Sequence, residues 1–337
     1  MRFYSITITD AASGQVYTPP GFEGLLGGAS YTNWVNGTPF PAAWNIEMDV
    51  YVVQEHQPIG GSFIRIWGIS LQEIGQANNL VGKNISVSAG MQVGLPLSNP
   101  SFAGLLFKGW VYQAFGNWIG TEMTLDLYFL PGNSPKSGKP APKNLIWNQP
   151  AGQPMATTIK NTLATAFPGF PLNINVNPKL VRPSADVGFY GTVNELATYV
   201  NRTSRDIMND PNYSGVAIVL DNNAFTVQDW NLKTNSSGSQ KQINYVDLIG
   251  QPTWIESPQI QFKCPMRADL NIFDLIKLPN TLVTNTQAAA SNLTNQTANF
   301  QGGFKIMREH HMGVFRQPTA EAWVSVFDAV PVSVSGQ

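Results

Sequence analysis

The sequence predicts a mainly β protein with an α+β middle domain. Three observations carry this. The stretch from Phe63 to Leu130 is rich in Val, Ile, Leu, Phe, Trp and Tyr, and its apolar runs are cut by Gly and Pro rather than by helix caps. Period-two alternation recurs near both ends of the chain, the mark of half-buried strands. Helical spacing is clear only in the middle third. The Phe63–Leu130 stretch also holds just six charged residues, Arg65, Glu73, Lys83, Lys108, Glu122 and Asp126. Ordinary soluble domains carry about a quarter charged residues, and this whole chain carries 12%. A partner protein is the simplest cover for so sparsely charged a surface.

The first ~130 residues read as strands. Ile46 to Val53 alternates Ile46, Met48, Val50 and Val52 against Glu47, Asp49, Tyr51 and Val53. Phe63 to Ile69 repeats the pattern, Ile85 to Val87 and Gly104 to Ala114 follow, and Met123 to Leu130 closes the set. Between Ile69 and Val81, Leu71, Ile74 and Asn78 admit one or two helical turns, or a strand and loop. Pro131 to Lys143 has four prolines, two glycines and three lysines without a large apolar side chain. Proline stiffens such a segment and denies it ladder hydrogen bonds, so a domain boundary is expected there.

The unit from 144 to 248 mixes helix and strand. Met155, Ile159, Leu163 and Ala166 recur at helical spacing, and Pro168-Gly169 stops that helix. Leu172 to Val176 alternates as a strand. Thr192 with Glu195 forms a capping box ahead of Leu196, Val200, Ser204 and Ile207, and Asp210-Pro211 is the expected end of that helix. Val216–Leu220 and Ala224–Val227 make a hairpin around Asp221-Asn222-Asn223, residues that tolerate positive φ. Lys233 to Gln242 is polar and Ser-rich, an expected loop tip.

From 249 to 337 strands return, at Ile260–Cys264, Leu275–Leu278, Phe304–Met307, Val314–Phe315 and Trp323–Val330. Between them Asn280 to Gly303 is rich in Asn, Thr, Gln and Ala. A structureless loop of that length is unusual inside a compact domain. A long hairpin arm, or a segment ordered against a neighbour, is expected.

At 337 residues the chain should hold two or three domains. Net charge is -1, with 20 scattered basic residues, so no basic stripe argues for specific nucleic-acid binding. No run of ~18 apolar residues argues for membrane insertion. Met1 to Asp10 alternates Phe3, Ser5, Ile6, Thr7, Ile8 and Thr9 and lacks the apolar centre of a secretory signal. With one cysteine, Cys264, no internal disulfide and no cysteine-rich zinc site can form. Synthesis in a reducing cytoplasm is the expectation.

Few residues suggest chemistry, and no catalytic, cofactor or metal residue is expected. His310-His311 beside Glu309 is the one histidine cluster. Neighbours on a strand point to opposite faces, so the pair cannot chelate one metal. His56, near Gln54 and Gln57, fits a surface or capping role. Ser62 follows Gly60-Gly61 but leads into a strand, and no Gly-x-Ser-x-Gly occurs. Gly21 to Gly28 matches neither a P-loop nor a dinucleotide fingerprint. Glu122 and Asp126 would lie roughly 13 Å apart along a strand, too far for either glycosidase geometry. Asp206 with Asp210 is a pair by type only, since Asp210 is better explained as a helix end. Cys264 reads as a buried, inert thiol. The nine tryptophans, Trp34, Trp67, Trp110, Trp147, Trp230 and Trp323 among them, are spread through all three units and read as core or interface anchors.

The order of units resembles the central hub protein of contractile phage-tail baseplates. Ile64-Arg65-Ile66-Trp67-Gly68, then Asn79-Leu80-Val81-Gly82-Lys83 and Ser88-Ala89-Gly90-Met91, is similar to the tube-type domain of such hubs. Leu106 to Phe115, with Gly109 and Trp110, is similar to its return strand. Gly250-Gln251-Pro252 leading into Ile260–Pro265 and Leu275–Pro279 resembles the hub's second tube-type barrel. The resemblance implies two tail-tube-like β-barrel or sandwich domains, 1–130 and 249–337, with a smaller mixed domain at 144–248 and the linker at 131–143. It implies a homotrimer whose pseudo-sixfold ring adapts a sixfold tail tube to a threefold spike, without catalytic residues or cofactors. The implied partners are further copies of itself, the tail tube protein, the central spike protein, baseplate wedge proteins and the tape-measure protein, in the virion. Ser13 to Phe40 departs from the pattern.

Two other classes compete. A tail-associated cell-wall hydrolase needs two carboxylates or a metal converging in a cleft. A carbohydrate-binding or capsid-type β-protein would draw on the tryptophan count. A ring subunit accounts for the low charge directly, because obligate interfaces are large and apolar and ring closure hides strand edges.

Overall fold

The computed structural model describes residues 1–56, 61–94, 99–138, 144–211, 213–230, 240–256, 259–279 and 303–332. The expected arm at Asn280–Gly303, most of the loop tip at Lys233–Gln242 and the end of the Pro/Lys linker lie outside them, apart from Gly303 and residues 240–242. The chain packs as two compact units. Unit 1 takes Met1–Val52, Gly61–Leu130 and Ser239–Gln337, and unit 2 takes Val53–Gly60 and Pro131–Gly238.

Unit 1 is built from β1 (Arg2–Thr9), β2 (Tyr31–Thr32), β3 (Trp34–Val35), β4 (Thr38–Pro39), β5 (Asn45–Val52), β6 (Ser62–Trp67), β7 (Asn84–Met91), β8 (Gly104–Ile119) and β9 (Glu122–Pro131). Alternation puts Tyr4, Ile6 and Ile8 of β1, Ile46, Met48 and Val50 of β5, Ile64 and Ile66 of β6, and Leu125, Leu127 and Phe129 of β9 into one core. Each such side chain contributes roughly 1.5–3 kcal/mol on burial. A Cβ on Gly109 of β8 would stand 2.0 Å from the Leu130 carbonyl oxygen, so only glycine lets the two strands approach there.

The ambiguous Ile69–Val81 stretch contains α1 (Leu71–Gln76). Ser70 accepts the Glu73 N–H at 3.2 Å, and Glu73 Oε2 accepts the Ser70 N–H at 2.8 Å, a complete capping box. Glu73 is buried, and its other oxygen takes the Tyr31 hydroxyl at 2.9 Å.

In unit 2, β10 (Leu145–Gln149) pairs with β12 (Asp186–Tyr190), and β11 (Leu172–Asn175), β14 (Ala224–Asp229) and β13 (Val216–Asp221) form a three-stranded sheet. Helices α2 (Met155–Ala166) and α3 (Val193–Met208) complete one core around Trp147, Ile159, Leu163, Leu196, Val200, Ile218 and Phe225. The expected 221–223 turn places Asn222 at φ 50° and Asn223 at φ 60°, the left-handed pair that matches strand twist. At the start of α3, Thr192 Oγ1 accepts the Glu195 N–H at 3.2 Å, but Glu195 reaches back to the Gly191 N–H at 2.7 Å rather than to Thr192. The helix ends one residue before the expected Asp210, on left-handed Asn209 at φ 47°.

The C-terminal strands, β15 (Lys241–Gln242), β16 (Thr253–Glu256), β17 (Gln259–Pro265), β18 (Leu275–Lys277), β19 (Gly303–Val314) and β20 (Trp323–Val332), return to unit 1. They form a second core around Phe262, Cys264, Leu270, Ile276, Phe304, Ile306 and Phe327. The sequence predicts a separate β domain from 249. In the structure this region has its own core, yet β19 pairs with β5, and a 13-stranded sheet runs β16-β17-β20-β19-β5-β6-β9-β8-β7-β1-β2 with β15 and β18 off that path. The expected strands at Phe304–Met307 and Val314–Phe315 prove to be one strand, β19, with a register shift between Ile306 and Arg308. A bulge of this kind switches which residues face inward. It turns the polar Glu309 and His311 into the interior, which is why the segment does not read as a strand.

Candidate interaction surface

The outward face of β5, β6, β9 and β8 in unit 1 is the most distinctive surface on the chain. Strand register aligns its residues in rows: Asp49 beside Phe63 and Tyr128, Glu47 beside Arg65 and Asp126, and Asn45 beside Trp67 and Thr124. The middle row is held by a two-pronged ion pair. Arg65 Nε donates to Asp126 Oδ1 at 2.7 Å and Nη2 to Oδ2 at 2.8 Å, and Asn117 Nδ2 adds a third donor at 3.2 Å. These hydrogen bonds raise the Arg65 pKa further, against the effect of burial.

Aromatic rings flank the ion pair. Tyr128 sits 5.9 Å from Phe63, 6.4 Å from Tyr112 and 6.1 Å from Phe115, centroid to centroid. The Arg65 guanidinium lies 5.8 Å from the Trp67 ring. At the tip of the β8–β9 hairpin, Trp118 is 63% and Ile119 78% exposed. The Trp118 indole is fixed there, because its N–H donates to the Gly120 carbonyl at 2.9 Å. Aromatics and arginine are among the residues enriched where proteins meet.

A second apolar face lies on unit 2. In the β10–β12 pair, Ile146 faces Phe189 and Asn148 faces Val187. Phe189 is 70% and Val187 63% exposed, while the opposite face buries Leu145 and Trp147. A two-stranded ribbon normally gives its outer face to polar residues.

The residues singled out by type separate in space. His310 and His311 point to opposite faces, as expected. His310 stacks on Tyr51 at 4.0 Å and bonds Asp49, whereas His311 is buried. Among the described residues no three His, Cys, Asp or Glu side chains gather as a metal site. Ser62 is a buried strand residue whose hydroxyl accepts the Tyr51 N–H at 3.1 Å. Asp126 is committed to Arg65, and Glu122 is exposed at the start of β9. Asp206 and Asp210 are both exposed at the end of α3. Gly21, Gly24, Gly27 and Gly28 all take positive φ, which makes the 21–28 loop a run of tight turns. Cys264 is fully buried in the second core, and burial pushes its thiol up to about 12. His56 is half-buried, and burial lowers its pKa. Trp44, Trp147 and Trp323 are core residues. Trp118, which sequence reasoning did not single out, is the exposed one. Its signal is the Gly120-Thr121 break between two apolar strands.

No family model and no curated protein matches the sequence. Solved structures match its fold. The 43 kDa tail protein of prophage MuSo2 from Shewanella oneidensis superposes with a TM-score of 0.50, covering 97% of this chain and 96% of that one at 9% identity. The chain has the fold of a phage tail protein. At that identity the likeness is one of fold. The tail-protein fold also overlaps a tail protein from Neisseria meningitidis MC58, with a TM-score of 0.46, 8% identity, and 97% and 96% of the two chains covered. Against the lidless PdpA-VgrG complex the values are 0.47 and 10%, over 99% of this chain and 65% of that one.

Proposed function

We propose that this protein is a structural component of a phage tail, and within the tail the central hub of a contractile baseplate. The observation that carries the reading is the end-to-end fold likeness to a tail protein, which spans both units. The exposed aromatic rows and the Trp118 hairpin tip supply what an assembly subunit needs, namely apolar anchors around a satisfied charge pair. No described helix is long and apolar enough to cross a membrane.

In this reading the two cores of unit 1 correspond to two tube-like β domains, and unit 2 is the mixed domain that falls between them in chain order. Three copies then present six tube-like domains, which reconciles a sixfold tail tube with a threefold central spike. Partners are further copies of the chain, tail tube protein, central spike protein, wedge proteins around the rim and tape-measure protein in the lumen. The protein works in the virion after synthesis in the host cytoplasm, and its task is assembly rather than catalysis.

Electron microscopy of the purified protein, alone and with tail-tube and spike proteins, tests this. Threefold rings that stack on tubes are expected. Isolated particles that bind neither protein, or clearing on a peptidoglycan zymogram that disappears when one carboxylate is neutralised, would replace the hub reading with another.

A further inference from the structure

The interior of unit 1 is not one apolar phase. On β20, Trp323 belongs to the first core and Phe327 to the second, and Ser325 stands between them. On β19, Ile306 lies in the second core, while a Cβ on Gly313 would press on the Trp323 ring of the first at 2.6 Å. Glu309 and His311 occupy the interval. Cys264, near the end of β17, belongs to the second core, whereas Met266, just past that strand, belongs to the first, and Arg267 follows. A polar seam of Glu309, His311, Ser325 and Arg267 therefore separates the two cores, and each of the four is no more than 4% exposed.

Hydrogen-bond directions along the seam can be assigned. Ser325 Oγ accepts the Arg267 N–H at 3.0 Å and donates its own hydrogen to the Arg267 carbonyl at 3.2 Å. With the serine hydrogen on that carbonyl, the oxygen accepts from its 2.7 Å partner, His311 Nδ1, in the tautomer that carries the ring hydrogen there. In a neutral imidazole Nε2 is an acceptor, and it faces Glu309 Oε2 at 3.5 Å. A protonated carboxyl complements it, whereas a carboxylate beside a neutral ring sets lone pair against lone pair.

We propose that one proton on Glu309, buried in the seam beside His311, keeps the two halves of unit 1 latched together, and that its loss in alkaline solution frees the second core from the first. Neither nearby cation pairs with Glu309: Lys241 pairs with Asp274, and Arg267 with Asp269. Glu309 Oε1 has no hydrogen-bond partner. The charged groups that bear on Glu309 are Asp274, which repels it, and Lys241, which attracts it. Lys241 is already engaged by Asp274 at 2.6 Å and by the Asp269 carbonyl. The Arg267 guanidinium gives Nε and Nη2 to the two oxygens of Asp269 at 2.7 and 2.6 Å, and its Nη1 meets no acceptor, Glu309 included. Opposite Glu309, β5 presents Val52 and β20 presents Phe327, both uncharged. Arg308, the neighbour of Glu309 on β19, pairs with Asp328 of β20 at 3.8 Å. A hydrogen bond from the Ile272 backbone N–H and the more distant Lys241 favour the ionised form, but burial, the largest effect, pushes Glu309 up to about 8.

The sign follows from linkage. The folded state holds this proton more tightly than the unfolded chain, so its contribution is complete below the ordinary glutamate range. It declines as pH rises through about 8 and is gone above that. Between those limits the opening equilibrium shifts roughly tenfold per pH unit.

Hydrogen exchange on the full chain across pH 6 to 9, corrected for the intrinsic rate, reads the latch. Protection in β17, β18 and residues 270–278 is expected to fall about tenfold per unit until pH ~8 and then level off. Glu309→Gln, which keeps a donor toward His311 but cannot ionise, should hold that protection flat. The same slope in Glu309→Gln as in the native chain, or no slope in the native chain, overturns the proposal. Should Glu309→Gln not fold, carboxyl carbon-13 spectra of the Glu55→Gln chain decide. A glutamate titrating near 8 supports the latch, and none above the ordinary range refutes it.

Discussion

Unit 1 and unit 2 each bury a glutamate, and they do so differently. Glu309 lies 3.5 Å from His311, two residues along the same strand, in a seam between two cores. Glu55 lies beside β13 of a single core, where its N–H donates to the Ile218 carbonyl at 2.8 Å and the Leu220 backbone N–H bonds its carboxyl. Burial dominates both and pushes Glu55 up to about 7. One acid is tied to the cohesion of two half-units, and the other to the stability of one compact body. Isolated buried charge is costly enough that a protein neutralises it. The comparison teaches that the consequence depends on what lies on either side.

The largest effects should come from the cores themselves. Trp147→Ala should cost unit 2 about 3–5 kcal/mol, and Trp323→Ala should cost unit 1 a similar amount, since it also orphans the Gly90 carbonyl that the indole N–H reaches at 2.9 Å. Calorimetry should show each variant lowering a different transition. If either substitution melts both units together, the division fails.

Next comes pH. Glu55 is held protonated in the fold, so unit 2 should lose stability as pH rises from the ordinary carboxyl range through about 7, by a total on the order of 3 kcal/mol. Glu55→Gln should remove that slope from urea denaturation curves of unit 2 while leaving the unit 1 slope in place. A shared slope lost in both units would break the contrast.

Arg65→Ala strands Asp126, whose side chain is only 7% exposed. Because Arg65 itself is 39% exposed, the expected loss is about 1–2 kcal/mol, read as a shift in unit 1's midpoint. Asn222→Val in the left-handed turn of unit 2 should cost about 1 kcal/mol, whereas Asn223→Gly should be neutral or stabilising.

Half of this was legible in the sequence and half was hidden for definite reasons. Alternation in β5, β6 and β9 and the paired asparagines of the 222–223 turn announce themselves. Helix α1 does not, because it exposes Leu71 and buries Glu73, the reverse of the usual pattern. Strand β12 was missed because its apolar residues, Val187 and Phe189, face solvent while Asp186 and Gly188 face inward. Strand β19 carries its polar residues inside. As for the candidate surface, Arg65 and Trp67 were visible as part of a motif, but their union with Asp126 and Tyr128 depends on strand register, which spacing alone does not give. Trp118 and Phe189 look like core residues until the fold exposes them.

The smallest effect on stability should attend the largest effect on assembly. Trp118→Ala and Phe189→Ala should each change the folding free energy by no more than ~0.5 kcal/mol, because both side chains are largely exposed. If these faces serve assembly, the same variants should weaken association. Unchanged association in both would move the interface elsewhere.

Sedimentation equilibrium of the native chain at micromolar concentration tests the central claim most directly. Three chains per particle, shifting toward larger species when tail-tube protein is added, is the predicted result. A single 36.8 kDa species that ignores both tube and spike proteins would contradict it.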